Sequence, residues 1–308
     1  MGAKVAMAVA AAESVRWQGI LVPLTTPFDE SGALDHAGLE RNLEAFAAAP
    51  LAGYVLAGSN GEFPQLGLEE RILLVRGAAR AAGDRPVLVQ VGGGSRQESL
   101  ALAARAAEFG ARAVLLVTPH YYRRQMTDEA LLEYYQDFAA DCPLPLLLYN
   151  IPQNTGVNLS PAVVGQLASV PNIIGIKDSA GNLGQLAEYL ERTPPGWSVL
   201  NGSSSLVVPA WAVGCSGAVL GAANMLPFEL CDLWSLCREG RWAEAQTLES
   251  RLRPVLRVVS RLGVAGTKLG MDLMGYRGGA VRAPLLPVGR AQRDELVDAL
   301  RGAQLIRF

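Results

Sequence analysis

A lysine at the end of an apolar run is the residue in this chain whose type and position best suggest chemistry. Lys177 follows the run Ile173 to Ile176, which is typical of a buried parallel strand. Only three of the 27 basic residues are lysines, the others being Lys4 and Lys268. A desolvated lysine can lose its proton and attack a carbonyl carbon to form a Schiff base, whereas arginine cannot. The alternative is a strand-end lysine that reaches solvent or pairs with Asp178.

A glycine-flanked polar turn follows another apolar run. Ser59 supplies a hydroxyl, Asn60 an amide and Gly61 a flexible backbone with successive N–H groups. Such a turn can bind a carboxylate. Ser59 and Asn60 could also be ordinary turn formers. Glu62 is expected to brace the turn rather than to take part in catalysis.

Tyrosines follow two further apolar runs. Tyr149 ends the run before that of Lys177, and Tyr121 and Tyr122 come after an earlier one. A phenol beside an amine can act as an acid or a base, so lysine and tyrosine on adjacent strands could form a carbinolamine and move its protons. The alternatives are a core position for Tyr149 and an exposed loop or subunit contact for Tyr121 and Tyr122.

Eight short apolar runs alternate with helical patterns along most of the chain. Their ends fall near residues 25, 57, 91, 117, 149, 177, 200 and 220. Continuous apolar runs are typical of strands buried on both faces, so this spacing predicts a closed (β/α)8 TIM barrel of the α/β class. An open doubly wound sheet is the alternative, but no G-x-G-x-x-G motif follows the first run.

Three regions are predicted. Residues 1–18 are Ala-rich without the pattern of a signal peptide and are interpreted as a flexible leader. Residues 19–226 form the barrel, and residues 227–308 carry helical spacing and form a C-terminal helical region. In a barrel of this kind the carboxyl ends of all strands face one mouth, so Ser59, Tyr121, Tyr149 and Lys177 are expected to converge there.

Composition excludes several kinds of partner. The formal net charge is -2 and no run of basic residues occurs, which argues against a nucleic-acid surface. No apolar stretch reaches the length of a membrane span. The four cysteines lack C-x-x-C spacing and His36 and His120 are far apart, so we predict no metal and no cofactor. Reduced thiols in a cytoplasmic protein are the simplest interpretation.

Five motifs together resemble those of a known family, the pyruvate-dependent class I aldolases that include dihydrodipicolinate synthase and N-acetylneuraminate lyase. The resemblance covers the chain from Gly19 to Pro287. The motifs are Gly58-Ser59-Asn60-Gly61-Glu62, Val117-Thr118-Pro119-His120-Tyr121-Tyr122, Tyr149-Asn150-Ile151-Pro152, Gly175-Ile176-Lys177-Asp178 and Gly217-Ala218-Val219-Leu220.

The resemblance implies a role for each matching residue. Lys177 would form the Schiff base with pyruvate or another 2-keto acid, and Tyr149 would be its acid and base. Ser59 matches the family's relay hydroxyl, and Asn60 matches its carboxylate-binding neighbour.

The resemblance also implies an assembly. Tyr121 matches a tyrosine that the family inserts across a subunit interface, and Val219 matches a position whose backbone carbonyl contacts the keto acid. Family members are usually homotetramers built as dimers of dimers, and the same assembly is expected here.

Two departures from the family pattern bear on the substrate. The synthases carry two threonines where this chain has Ser59 and Asn60, and an arginine where it has Asn154. An amide cannot replace a bidentate guanidinium. The pattern therefore favours the 4-hydroxy-2-oxoglutarate aldolase branch, which cleaves a 4-hydroxy-2-keto acid to pyruvate and an aldehyde. The alternatives are 4-hydroxy-tetrahydrodipicolinate (dihydrodipicolinate) synthase and a non-catalytic barrel that binds keto acids.

Overall fold

The structure, a computed structural model, describes residues 17–306 of the 308-residue chain. The predicted leader, residues 1–18, lies outside the described residues except for its last two. Eight parallel strands form a closed barrel in sequence order, which confirms the predicted fold. The strands are β1 (Gly19–Pro23), β2 (Gly53–Leu56), β3 (Val87–Gln90), β4 (Ala113–Val117), β5 (Leu146–Asn150), β6 (Ile173–Asp178), β7 (Ser198–Asn201) and β8 (Gly217–Val219).

Helices connect the strands and continue beyond the last one. They are α1 (His36–Phe46), α2 (Leu68–Ala81), α3 (Arg96–Glu108), α4 (Asp128–Asp141), α5 (Pro152–Thr155), α6 (Pro161–Leu167), α7 (Leu183–Arg192), α8 (Val207–Ala212), α9 (Pro227–Arg238), α10 (Trp242–Leu273) and α11 (Arg290–Gly302). Short 3-10 segments cover Phe63–Gln65, Arg123–Gln125 and Gly221–Asn224. The helical character predicted for the C-terminal region is confirmed, and α10 is kinked at Gly263.

Local sequence explains why these elements form where they do. Every residue of β4 and β5 is buried, as expected for strands covered on both faces. Asp35 caps the start of α1, because its Oδ1 accepts a hydrogen bond of 2.7 Å from the backbone N–H of Gly38. The helix then buries Leu39, Leu43 and Phe46 along one face.

The described residues divide into two compact units. One contains Pro86–Ala218 and therefore β3 to β7, and the other contains Gly19–Arg85 together with the chain from Val219 onward. The predicted boundary between residues 226 and 227 stays a prediction.

All four cysteines are free and buried. Burial raises the pKa of Cys142, Cys215 and Cys231 to about 12 and that of Cys237 to about 11. The four thiols are unpaired in the structure, and the reduced, cytoplasmic state stays a prediction. Within residues 17–306, none of the helices has the combination of length and apolar character that crossing a membrane requires.

A buried ion pair holds the turn that follows β2. Glu62 Oε1 lies 2.5 Å from Nζ of Lys268 on α10, and the two side chains are 0% and 1% exposed. Glu62 Oε2 accepts a hydrogen bond of 2.8 Å from the backbone N–H of Arg282. Lys268 also donates to the carbonyl oxygen of Ala280 at 2.6 Å and lies over the ring of Phe28. Glu62 therefore braces the turn, as its position suggested.

Replacing the cation of this pair is expected to destabilise the fold strongly. Lys268→Met leaves the Glu62 carboxylate buried without its partner, which costs about 3–5 kcal/mol in the free energy of unfolding. The measurement is urea denaturation followed by circular dichroism. As a control, Arg261→Met breaks the exposed pair with Glu295 and should cost less than about 1 kcal/mol.

The double variant Glu62→Gln/Lys268→Met tests the cause. It should recover part of the loss, because no buried charge remains. Equal destabilisation of the single and double variants would show that packing around Lys268, rather than its charge, supports the turn.

Candidate active site

The lysine and the tyrosine singled out by the sequence lie side by side at the ends of paired strands. In the register of β5 and β6, Tyr149 is opposite Lys177. Nζ of Lys177 lies 4.1 Å from the centroid of the Tyr149 ring. The two residues are 4% and 1% exposed. The amine is thus largely withdrawn from water and lies over an aromatic ring, whose phenol is a group that can act as an acid or a base.

Lys177 does not pair with its sequence neighbour Asp178. Successive residues of a strand face opposite sides of the sheet. Oδ1 of Asp178 instead accepts hydrogen bonds from Asn150 Nδ2 at 2.7 Å and from Gln185 Nε2 at 3.2 Å. Burial raises the pKa of Asp178, and these hydrogen bonds oppose the rise. The interpretation of Lys177 as half of a strand-end ion pair is therefore wrong.

A glycine after β7 makes room for the lysine side chain. The backbone N–H of Gly202 donates to the carbonyl oxygen of Asp178 at 2.7 Å, so the chain after β7 closely follows the end of β6. A Cβ atom at position 202 would lie 3.1 Å from Cε of Lys177 and would overlap Oγ of Ser179. Sequence reasoning missed Gly202. The one feature of the sequence that points to Gly202 is that a glycine follows an apolar strand. Many strands are followed by a glycine, so this feature is not specific.

The polar turn after β2 is tightly constrained. Ala57 and Glu62, which flank it, adopt left-handed backbone conformations with φ of 50° and 56°. Such conformations are unfavourable for residues other than glycine and cluster at functional sites. The turn is closed by a hydrogen bond from Gly61 N to Gly58 O at 3.0 Å, and Thr26 Oγ1 donates to Gly61 O at 2.7 Å.

The Asn60 side chain of this turn packs on the segment after β8. A Cβ atom at Gly221 would lie 2.7 Å from Nδ2 of Asn60, so the amide approaches the backbone there closely. Val219, two residues earlier, ends β8 and is buried. Asn60 and the segment that follows Val219 therefore lie together, in the unit that also contains Ser59 and Gly61.

The two tyrosines after β4 are exposed. Tyr121 is 85% exposed and Tyr122 is 68% exposed. Their rings contact each other edge to face, with centroids 5.0 Å apart. In the single chain Tyr121 thus lies at the surface, whereas Tyr149 and Lys177 are buried.

The barrel and its buried lysine and tyrosine are features that a class I aldolase requires. The comparisons place the chain in that class, the carbon–carbon lyases that work through a lysine. The profile of the dihydrodipicolinate synthetase family matches residues 16–303, and the chain belongs to that family.

Individual relatives agree with the family profile over nearly the full chain. The chain is 31% identical to 4-hydroxy-tetrahydrodipicolinate synthase of Archaeoglobus fulgidus over 291 residues, which are 94% of this chain and 99% of the relative. A solved structure of the synthase from Methylacidiphilum fumariolicum matches with a TM-score of 0.89 and 31% identity, covering 93% of this chain and 96% of that one.

A further solved structure carries a ligand. It is that of a prophage protein of the dihydrodipicolinic acid synthase family from E. coli K12, in complex with pyruvate. It matches with a TM-score of 0.89 and 29% identity, covering 95% of this chain and 100% of that one.

Gly202→Ala should displace the lysine without unfolding the barrel. The added methyl group meets Lys177 Cε and Ser179 Oγ, and a displacement of about 1 Å at a reacting group can cost roughly 100-fold in rate. The measurement is the rate at which pyruvate and borohydride irreversibly modify the protein, with circular dichroism to confirm folding. Gly302→Ala is the control, because a Cβ atom at that position meets no other atom. Equal modification rates in the two variants would show that Gly202 does not position the lysine.

Proposed function

We propose that Lys177 forms a Schiff base with the keto carbon of pyruvate and that Tyr149 moves the protons of this reaction. The observation that carries the proposal is the buried contact between the lysine amine and the tyrosine ring. The neutral amine attacks the keto carbon, and the resulting carbinolamine loses water to give an iminium ion. Loss of a proton from the methyl carbon then gives an enamine, which adds to an aldehyde; cleavage runs the same steps in reverse.

The surroundings of the amine support this chemistry. Lys177 is 4% exposed and its amine lies against the Tyr149 ring, and the free amine of a lysine is the nucleophile in Schiff-base formation. Asp178, the neighbouring carboxylate, accepts hydrogen bonds from amides and does not pair with the lysine. The complex of the E. coli relative with pyruvate supports pyruvate as the keto acid.

We assign the binding of the keto-acid carboxylate to the turn after β2. Ser59 would relay protons through its hydroxyl, and Asn60 and Gly61 would donate hydrogen bonds to the carboxylate. Val219 would contribute its backbone carbonyl. The left-handed residues at both ends of the turn and the brace from Glu62 support a preorganised binding turn.

The first candidate for the overall reaction is 4-hydroxy-tetrahydrodipicolinate synthase, the condensation of pyruvate with aspartate semialdehyde. The name of the Archaeoglobus fulgidus relative and the match to the Methylacidiphilum fumariolicum synthase support it. These comparisons favour the synthase over the aldolase that the sequence pattern favoured.

The second candidate is cleavage of 4-hydroxy-2-oxoglutarate to pyruvate and glyoxylate. Ser59, Asn60 and Asn154 support it, because they depart from the residues of the synthases at these positions. Asn154 is exposed on α5, directly after the strand that carries Tyr149.

We also propose a homotetramer in which Tyr121 of one chain approaches the site of another. The exposure of Tyr121 and Tyr122 in the single chain supports this assembly, because two adjacent aromatic rings at the surface are typical of interfaces.

Reductive trapping tests the role of the lysine. Pyruvate with borohydride should attach a reduced pyruvate to Lys177, detected by mass spectrometry of the digested protein. Lys177→Arg keeps the positive charge but removes the nucleophile, and this variant should remain unmodified. Tyr149→Phe keeps the ring beside the amine but removes the phenol, so trapping should slow by about 10²- to 10⁴-fold. Modification at another residue, or at an unchanged rate in Tyr149→Phe, would contradict the assigned roles.

Two assays separate the candidate reactions. In the first, pyruvate and aspartate semialdehyde are supplied and consumption of both is followed with a coupled reductase. In the second, 4-hydroxy-2-oxoglutarate is supplied and pyruvate release is followed with lactate dehydrogenase. We expect the first assay to give the higher kcat/KM. A higher value in the second assay would establish the aldolase, and turnover in neither would favour a barrel that only binds keto acids.

A further inference from the structure

An arginine from the loop after β4 lies across the loop after β5. Arg123 begins the 3-10 segment Arg123–Gln125. A Cβ atom at Gly156 would lie 3.2 Å from Cδ of Arg123 and 3.5 Å from its Nη1. Gly156 ends α5 in a left-handed conformation with φ of 67°. The absence of a side chain at Gly156 therefore leaves the space that the arginine occupies.

The loop that Arg123 contacts has internal hydrogen bonds and is also bonded to the end of the lysine strand. The hydroxyl of Thr155 is buried and hydrogen-bonded to the backbone on both sides of it. Gln153 Nε2 donates to the carbonyl oxygen of Ser179 at 2.7 Å, two residues beyond Lys177. Arg123 thus rests on a loop that is fixed to the strand end carrying the proposed nucleophile.

The guanidinium of Arg123 is available to a ligand. Arg123 is exposed, and within residues 17–306 its side chain forms neither an ion pair nor a hydrogen bond. Other arginines of the chain, such as Arg277 and Arg282, are bonded to carboxylates of the protein. A planar guanidinium with free N–H groups matches the two oxygens of a carboxylate.

We propose that Arg123 is a specificity-determining residue that binds the carboxylate of the second reactant. This reactant is the aldehyde that condenses with pyruvate or is released with it on cleavage. The inference rests on the proposed Schiff-base function and deepens it, because it names a residue of this chain that would select for an aldehyde carrying a carboxylate. Asn154 lies two residues before Gly156. Arg123, from the preceding loop, therefore places a guanidinium against the loop that carries the Asn154 amide.

Both candidate reactions involve such a partner, since aspartate semialdehyde and glyoxylate each carry a carboxylate. The inference therefore holds for either reaction. It also removes one of the two reasons for disfavouring the synthase, the amide at position 154; Ser59 and Asn60 remain as departures from the synthase pattern.

The test compares Arg123→Gln with the wild-type chain on two kinds of substrate. For the carboxylated substrate that the wild type turns over, KM should rise about 10- to 100-fold, the usual effect of losing a charge-assisted hydrogen bond. For cleavage of 4-hydroxy-2-oxopentanoate, which lacks the distal carboxylate, kcat/KM should stay the same. Arg124→Gln is the matched control, because it removes the neighbouring exposed arginine and should leave both values unchanged.

A rescue variant and a trapping control complete the test. Asn154→Arg in the Arg123→Gln background should recover part of the lost KM, because it returns a guanidinium to the same loop. Trapping of pyruvate on Lys177 should be equal in wild type and Arg123→Gln; failure of trapping in the wild type would refute the proposed function itself. With trapping intact, an unchanged KM overturns the inference. Equal loss on both kinds of substrate, or an altered oligomeric state in size-exclusion chromatography, overturns it as well.

Discussion

The rest of this structure depends on one constraint: the amine of Lys177 is held out of water beside the ring of Tyr149. The register of β5 and β6 sets it, since Tyr149 and Lys177 are paired across the two strands. A slip of one residue would send each side chain to the opposite face of the sheet and put Asp178 in the place of the lysine. The amides that hold Asp178 on its own side therefore also secure the position of Lys177.

The polar turn after β2 shows how an unfavourable backbone is kept in place. Its left-handed residues would relax in a free peptide. Here Glu62 is bound by Lys268 and by the backbone of Arg282, both from the C-terminal part of the chain. The C-terminal helices thus contribute to the geometry of a turn far away in sequence, which gives this region a purpose beyond covering the barrel.

Much of this arrangement could be predicted from the sequence because it is local. Apolar runs place the carboxyl ends of the eight strands to within about two residues of where the structure has them. The cap at Asp35 also follows from neighbouring residues, whereas the contacts that brace Glu62 come from residues far away in sequence. Gly202, Lys268 and Arg123 could not be found in this way, since each acts on a residue from another element. Strand register and loop packing decide those contacts, and neither leaves a pattern in one sequence. Asn154 shows the same limit. The absence of an arginine at one position does not reveal that a different loop supplies one.

The four buried thiols have a practical consequence for following the protein in solution. Cys142 and Cys215 belong to one compact unit, and Cys231 and Cys237 belong to the other. A thiol that is both enclosed and hard to ionise reacts with an alkylating reagent mainly when its surroundings open. The rate of alkylation at each cysteine can therefore report transient opening of each compact unit separately, without any introduced label.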